Sequence, residues 1–271
     1  MPNYVCITCG TQFADSAREP ERCPICEDER QFVNWAGQQW TTLEQLRRRH
    51  RVTIRPESEL TGVGTEPPFA IGQRALLLRR PAGNILWDCL SMIDDGAVRA
   101  IEAVGGIAMI AISHPHYYSS MVEWSRAFGN IPVYLHAADR RWVMRPDPAV
   151  IFWEGERLSL GEDATLLRCG GHFAGGTVLH WAGGCGGRGV LLTGDILQVV
   201  FDRRYVSFMY SYPNLIPLPA SAVRKIAKSI EPFAFEQIYG AWWDRNILRG
   251  AKAAVARSVE RYLGAVTDGS E

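Results

Sequence analysis

Two Cys-x-x-Cys pairs near the start of the chain, Cys6-Ile7-Thr8-Cys9 and Cys23-Pro24-Ile25-Cys26, constrain its folding more than any other feature. Each pair makes a turn that presents two thiolates to one tetrahedral ion, and two such turns close a four-sulfur site. A segment of about 35 residues buries too little apolar surface to be stable alone, so a bound ion supplies its folding energy. Residues 1–37 are therefore expected to form a small metal module docked on a main domain. Residues 38–70 read as a helix and linker, and 71–271 as the main domain. Zinc in a structural role is the expected ion, with iron as a redox-active alternative. Two disulfides are the opposing reading, and a reducing compartment disfavours it. Cys89, Cys169 and Cys185 lie among apolar or glycine-rich neighbours and read as core or loop residues.

The 29 basic and 29 acidic residues balance, so no general attraction to nucleic acid or to an anionic membrane follows. No stretch approaches the roughly 18 apolar residues of a membrane span, and the N-terminus lacks a basic start followed by an apolar run. A cytoplasmic protein acting on a small molecule is expected.

The second constraint is Ile112-Ser113-His114-Pro115-His116-Tyr117-Tyr118-Ser119, which follows an apolar run. In extended backbone, residues i and i+2 project to the same side, so His114 and His116 would converge on one ion. His172, in Cys169-Gly170-Gly171-His172, and Asp195, after Val190-Leu191-Leu192-Thr193-Gly194, each follow another strand-like run. Three imidazoles and a carboxylate suit zinc, iron or manganese. His136 also ends a strand-like run and reads as structural or supporting, while His180 and His50 receive no role.

These four residues, in order and spacing, resemble the metallo-β-lactamase superfamily, whose first motif reads His-x-His-x-Asp-His at a strand end. The cysteine quartet likewise resembles rubredoxin-like and zinc-ribbon modules, with Cys9-Gly10 and Cys23-Pro24 matching their turns and Glu27 standing where glycine is usual. The resemblance implies an α/β, four-layer αββα sandwich over roughly 75–262. It implies His114, His116 and His172 as ligands of a first metal, zinc or iron, and Asp195 as the bridging carboxylate. Tyr118 and Ser119 replace the second metal's Asp and His, and Ile238-Tyr239-Gly240-Ala241-Trp242-Trp243-Asp244 replaces the late histidine. One metal, not two, is expected, with Asp244 as a nearby carboxylate.

Along the chain, 41–51 reads as a helix with Leu43 and Leu46 on one face and arginines on the other, and 59–68 as a linker. The run Arg47-Arg48-Arg49-His50-Arg51 reads as a solvated helix face and not as a nucleic-acid site. Strands are expected at 74–79, 85–88, 108–112, 132–135, 164–169, 177–182 and 189–193, and helices at 96–104, 120–128, 220–230 and 247–263. The glycine cluster 183–189 reads as a hairpin loop, since no helix follows and no P-loop lysine is present.

These readings converge on a mononuclear metal-dependent hydrolase of a small acyl substrate, with Asp195 accepting a proton from water and Tyr118 donating to an oxyanion. Two alternatives stand beside it. One is an iron oxidoreductase resembling persulfide dioxygenases through His114, His172 and Asp195. The other is an inactive metal-binding scaffold.

Overall fold

The apolar runs pair into two large sheets, one in each of two units, Met1–Trp153 and Glu154–Glu271. The computed structural model describes residues 1–267. The first unit opens with three short strands, β1 (Asn3–Cys6), β2 (Gln12–Asp15) and β3 (Trp40–Thr42), joined in the order β2-β1-β3 beside the four cysteines. Helix α1 (Leu43–Arg47) starts on a capping box in which Thr42 Oγ1 accepts the Gln45 amide and the Gln45 side chain accepts the Thr42 amide.

The helix expected over 41–51 stops at Arg47, because Arg51 already opens β4 (Arg51–Glu57). The segment expected to be a linker over 59–68 is instead β5 (Leu60–Glu66), paired antiparallel with β4 along its whole length. Its glycines and threonines hide the alternation, but β4 on one edge and β6 (Ala75–Leu78) on the other satisfy its backbone. The seven-stranded sheet continues through β7 (Ile85–Trp87), β8 (Met109–Ala111), β9 (Val133–His136) and β10 (Val150–Trp153), in the order β10-β9-β8-β7-β6-β5-β4. Pairing from β7 to β10 is parallel. Helix α2 (Asp95–Glu102) lies between β7 and β8 in sequence, and α3 (Met121–Ala127) between β8 and β9. The Asp94 side chain caps α2 by accepting the Ala97 amide at 2.8 Å, and its other oxygen accepts the Val52 amide of β4 at 2.8 Å.

Within this unit the cysteine module is docked by backbone contacts. The Gln12 amide donates to the Ser119 carbonyl at 3.0 Å, and the Ala14 amide to that of Met144 at 3.1 Å. Gly10 has a left-handed backbone (φ +81°), and its carbonyl accepts the Ser91 hydroxyl at 2.7 Å. A Cβ at Gly10 would stand 2.4 Å from Ser91 Oγ, so only glycine allows this approach.

The second unit holds a sheet of β11 (Arg157–Ser159), β12 (Ala164–Arg168), β13 (Thr177–Trp181) and β14 (Val190–Gly194). Two ribbons follow, β15 (Gln198–Val199) with β16 (Val206–Ser207) and β17 (Met209–Ser211) with β18 (Ile216–Pro217). β19 (Gln237–Gly240) and β20 (Asn246–Ile247) complete the order β11-β12-β13-β14-β19-β20. The glycine cluster links the antiparallel strands β13 and β14, as expected. Helix Ala220–Ile230 agrees with the sequence reading, whereas the last helix, Ala251–Thr267, begins later than expected because Asn246 and Ile247 pair with β19. Val223, Ile226, Ile230, Ala254 and Val255 from these helices pack with Val178, Leu191 and Ile238 of the sheet. Burial of each Val or Ile side chain contributes about 1.5–3 kcal/mol. Among the described residues no helix is long and apolar enough to cross a membrane.

His180 on β13 donates from Nε2 to the Ala234 carbonyl at 2.7 Å, and burial holds its pKa below the ordinary 6.5. The folded chain therefore keeps this ring neutral while the unfolded chain protonates it below 6.5, so its contribution is full above that pH and lost as pH falls. His180→Gln should flatten the acid limb of unfolding free energy against pH, measured in urea from about pH 5 to 7. An unchanged slope would contradict this.

Candidate metal centres

Two sets of buried side chains in the first unit have the composition of metal ligands, the cysteines Cys6, Cys9, Cys23 and Cys26 and the histidines His114 and His116, and the second unit carries the buried His172. In the first set, the sulfurs of Cys6 and Cys26 are 3.5 Å apart and those of Cys9 and Cys23 3.6 Å. A disulfide requires about 2.05 Å. Four sulfurs at about 2.3 Å from a tetrahedral ion stand about 3.8 Å from one another. All seven cysteines are free, so the quartet fits an ion and the disulfide reading fails.

The Gly10 amide donates to the Cys6 carbonyl and the Glu27 amide to that of Cys23, closing the two turns. Glu27 is absent from the positive-φ residues, so the second turn does not require a glycine there. Gln38 Nε2 donates to Cys6 Sγ at 3.2 Å. Hydrogen bonds from the thiols of Cys23 and Cys26 hold Cys6 well below the usual thiol range, while Cys9 and Cys26 are pushed well above it. A cation at the centre of the quartet is what would stabilise all four sulfurs as thiolates.

The histidine loop follows β8 in the first unit. His114 is extended, but Pro115–Tyr117 forms a 3₁₀ turn, so the expected extended pairing of i and i+2 is corrected. The two rings nevertheless lie together, with centroids 5.2 Å apart at 73°. Asp88, at the end of β7, accepts the Ser113 amide at 2.8 Å and the Ser113 hydroxyl. Burial pushes Asp88 up to about 7, against the effect of those hydrogen bonds. With its proton directed at Asp88, Ser113 Oγ accepts from His114 Nδ1 at 2.9 Å, which fixes the tautomer with its lone pair on Nε2.

Tyr118 is fully buried, and desolvation followed by the charge of Asp139 pushes its hydroxyl well above 10. Together with Ser119 it lines a small cavity against Thr11 and Gln12 of the cysteine module. Ser119 has a left-handed backbone (φ 45°) and is held from two directions. Its carbonyl accepts the Gln12 amide, and its hydroxyl accepts Gln73 Nε2 at 3.1 Å.

In the second unit His172 follows β12 through Gly170 and Gly171, both left-handed. A Cβ at Gly171 would come within 2.8 Å of Ile226 Cδ1, so this close turn depends on glycine. His172 Nδ1 donates to the Tyr210 carbonyl at 2.8 Å, which fixes the tautomer with its lone pair on Nε2. Asp195 follows β14 in a turn pinned by Thr193 Oγ1 on the Leu197 carbonyl at 2.8 Å. Tyr212 ties the two positions together, since its ring lies 5.7 Å from that of His172 and its hydroxyl donates to the Asp195 carbonyl at 2.5 Å. Asp244 is exposed in the turn between β19 and β20.

Asp88, Ser113 and Gln73 were given no role from the sequence. A signal existed only for Asp88, a lone carboxylate closing an apolar strand. His136, expected to be structural or supporting, accepts the Ala138 amide at Nδ1 and meets Trp153 edge-on. Burial pushes Cys169 up to about 12 and Cys89 higher still, so both remain neutral thiols.

No protein-family model matches the chain. The chain is 48% identical over 269 residues to uncharacterized protein YmaE of Bacillus subtilis (strain 168), spanning 98% of this chain and 97% of that one. The solved structure of VMB-1 superposes with a TM-score of 0.58 at 13% identity, covering 79% of this chain and 98% of that one. The metallo-β-lactamase FIM-1 from Pseudomonas aeruginosa, in its mono-zinc form, gives 0.54 at 16% identity, covering 78% and 95%. The metallo-β-lactamase SMB-1, in complex with mercaptoacetic acid, gives 0.51 at 20% identity, covering 77% and 93%. These likenesses show the fold, a mixed α/β one shared with metallo-β-lactamases, as the sequence resemblance implied.

Replacing Cys9 and Cys23 together by Ser should remove one ion per chain and lower Tm by about 5 °C or more. Elemental analysis and a melting curve of the purified variant check this. A variant with wild-type metal content and Tm would contradict the four-sulfur site.

Proposed function

Because this chain belongs to the family of Bacillus subtilis YmaE and carries the metallo-β-lactamase fold, we propose that it is a metal-dependent hydrolase with one working ion, acting on a small acyl substrate such as an ester, thioester or lactone. The ligands in this reading are His114, His116 and His172, and Asp195 serves as the base rather than as a fourth ligand. The observation that carries it is the setting of two buried histidines. His114 and His172 each have Nδ1 engaged by an oxygen, which fixes the ring and the tautomer that puts the lone pair on Nε2.

A single ion suits the neighbouring residues. Tyr118 and Ser119 stand where the superfamily motif places a second metal's Asp and His, and neither bears charge at neutral pH. The mono-zinc form of FIM-1 is a precedent for one zinc in this fold. Zinc held by three imidazoles supplies Lewis acidity and lowers the pKa of water to about 7.

The chain's own residues then divide the work. Asp195 accepts the proton of the attacking water, and its place in the turn is set by the Tyr212 hydroxyl on its carbonyl. Tyr118 keeps its proton at neutral pH, and this reading assigns its hydroxyl to the oxygen that gains charge as the acyl carbon becomes tetrahedral, which requires it to turn out of the cavity it lines with Ser119, Thr11 and Gln12. Asp88 and Ser113 hold the His114 ring in its ligating tautomer.

Initial rates of the metal-loaded protein on thioester, lactone and phosphodiester substrates test this reading. Asp195→Ala should lower the acyl-ester rate by about 10² or more while the melting curve persists, and Tyr118→Phe by about 10². No turnover of any ester, thioester or lactone, or full activity in Asp195→Ala, would overturn it. Full activity in Tyr118→Phe alone would confine Tyr118 to packing.

A further inference from the structure

The basic run Arg47 to Arg51 does not form a helix face. Helix α1 ends at Arg47, and Arg48, Arg49 and His50 make the turn into β4. That turn borders a cavity of about 520 Å³, whose other walls include Trp40, Phe69 and Ile7. Cavities of about 300–1,000 Å³ take small organic ligands.

The lining carries three basic side chains and no carboxylate. Arg49 forms no ion pair among the described residues. Arg48 pairs with Glu44 at 2.6 Å, but both side chains are more than 70% exposed, and such a pair is readily exchanged for a better anion. His50 donates from Nδ1 to the Pro67 carbonyl at 2.9 Å, so Nε2 is its remaining polar atom. The aromatic walls are fixed in advance. Trp40 pairs with Cys6 across β1 and β3 and lies edge-on to Phe13 at 4.8 Å, while Phe69 meets the His50 ring edge-on at 5.5 Å.

Cations in a fork and aromatic walls ask for two things of a ligand. Guanidinium groups favour a doubly charged, multi-oxygen anion such as phosphate, and aromatic faces favour a flat ring. A cavity of this size accommodates both on one small molecule. We propose that it binds a nucleoside monophosphate, the base against Trp40 and Phe69 and the phosphate on Arg48, Arg49 and His50. None of these residues belongs to the hydrolase reading, so this site stands or falls apart from it. Ile7, between Cys6 and Cys9, also lines the cavity, so an occupant touches the turn that holds the four-sulfur ion.

Calorimetric titration of the metal-loaded 271-residue chain with AMP, GMP, CMP and UMP tests this, with adenosine and inorganic phosphate as half-ligands. At least one monophosphate should bind below about 1 mM, and each half-ligand should bind at least about tenfold more weakly. The Arg48→Ala/Arg49→Ala double variant alters exposed side chains, so it should melt as wild type does and lose at least about tenfold in affinity. Absence of binding by all four monophosphates overturns the proposal. So does a half-ligand that binds as tightly as the whole, or a folded double variant with wild-type affinity.

Discussion

The hydrogen bond from the Gln12 amide to the Ser119 carbonyl is the contact on which the histidine loop depends. The loop leaves β8, tightens into a 3₁₀ turn at Pro115–Tyr117 and passes through a left-handed residue at Ser119. A non-glycine residue in that conformation costs on the order of 1 kcal/mol and persists only when its surroundings hold it. Gln12 holds the carbonyl and Gln73 the hydroxyl. Asp88, itself left-handed at φ 62°, holds the start of the loop through Ser113. Gln12 belongs to β2 of the cysteine module, and that module is too small to fold without its ion. The four-sulfur centre therefore supports the backbone that presents His114 and His116, even if it takes no part in chemistry.

The two candidate metal centres follow opposite principles. Four cysteines fill every position around a tetrahedral ion and leave no room for a substrate, which is the form of a structural site. Histidines held at Nδ1 by a hydroxyl or a carbonyl, in the tautomer with its lone pair on Nε2, would form the more open kind. The buried thiols outside the quartet offer no competing nucleophile, because burial keeps Cys89 and Cys169 protonated.

The positions of the candidate site residues were legible because each follows an apolar strand run that periodicity detects: His114 after β8, His172 after β12 and Asp195 after β14. The cysteine quartet was legible from spacing alone. The hairpin of β4 and β5 was not. β4 is largely exposed and carries Arg51, Arg55 and Glu57, so no buried face shows in its sequence, and β5 is diluted by Gly62 and Gly64. Sheet pairing, a non-local term, decides both. The same blindness extended 41–51 as a helix, since arginine is a good helix former and nothing local signals the turn at Arg48 and Arg49. The Asp88–Ser113–His114 chain was hidden for a related reason, because it joins residues about 25 positions apart through a parallel strand pair.

Elemental analysis of the chain purified without added metal, wild type beside a His114→Ala/His172→Ala double variant, tests the central claim most directly. The account predicts two ions per chain in the wild type and one in the variant, the survivor being the cysteine-bound ion. Zinc at the lost site accords with hydrolysis, whereas iron there would point to oxygen chemistry. A wild type with a single ion that the double variant retains would contradict the account and leave the fold as a scaffold for its cysteine module.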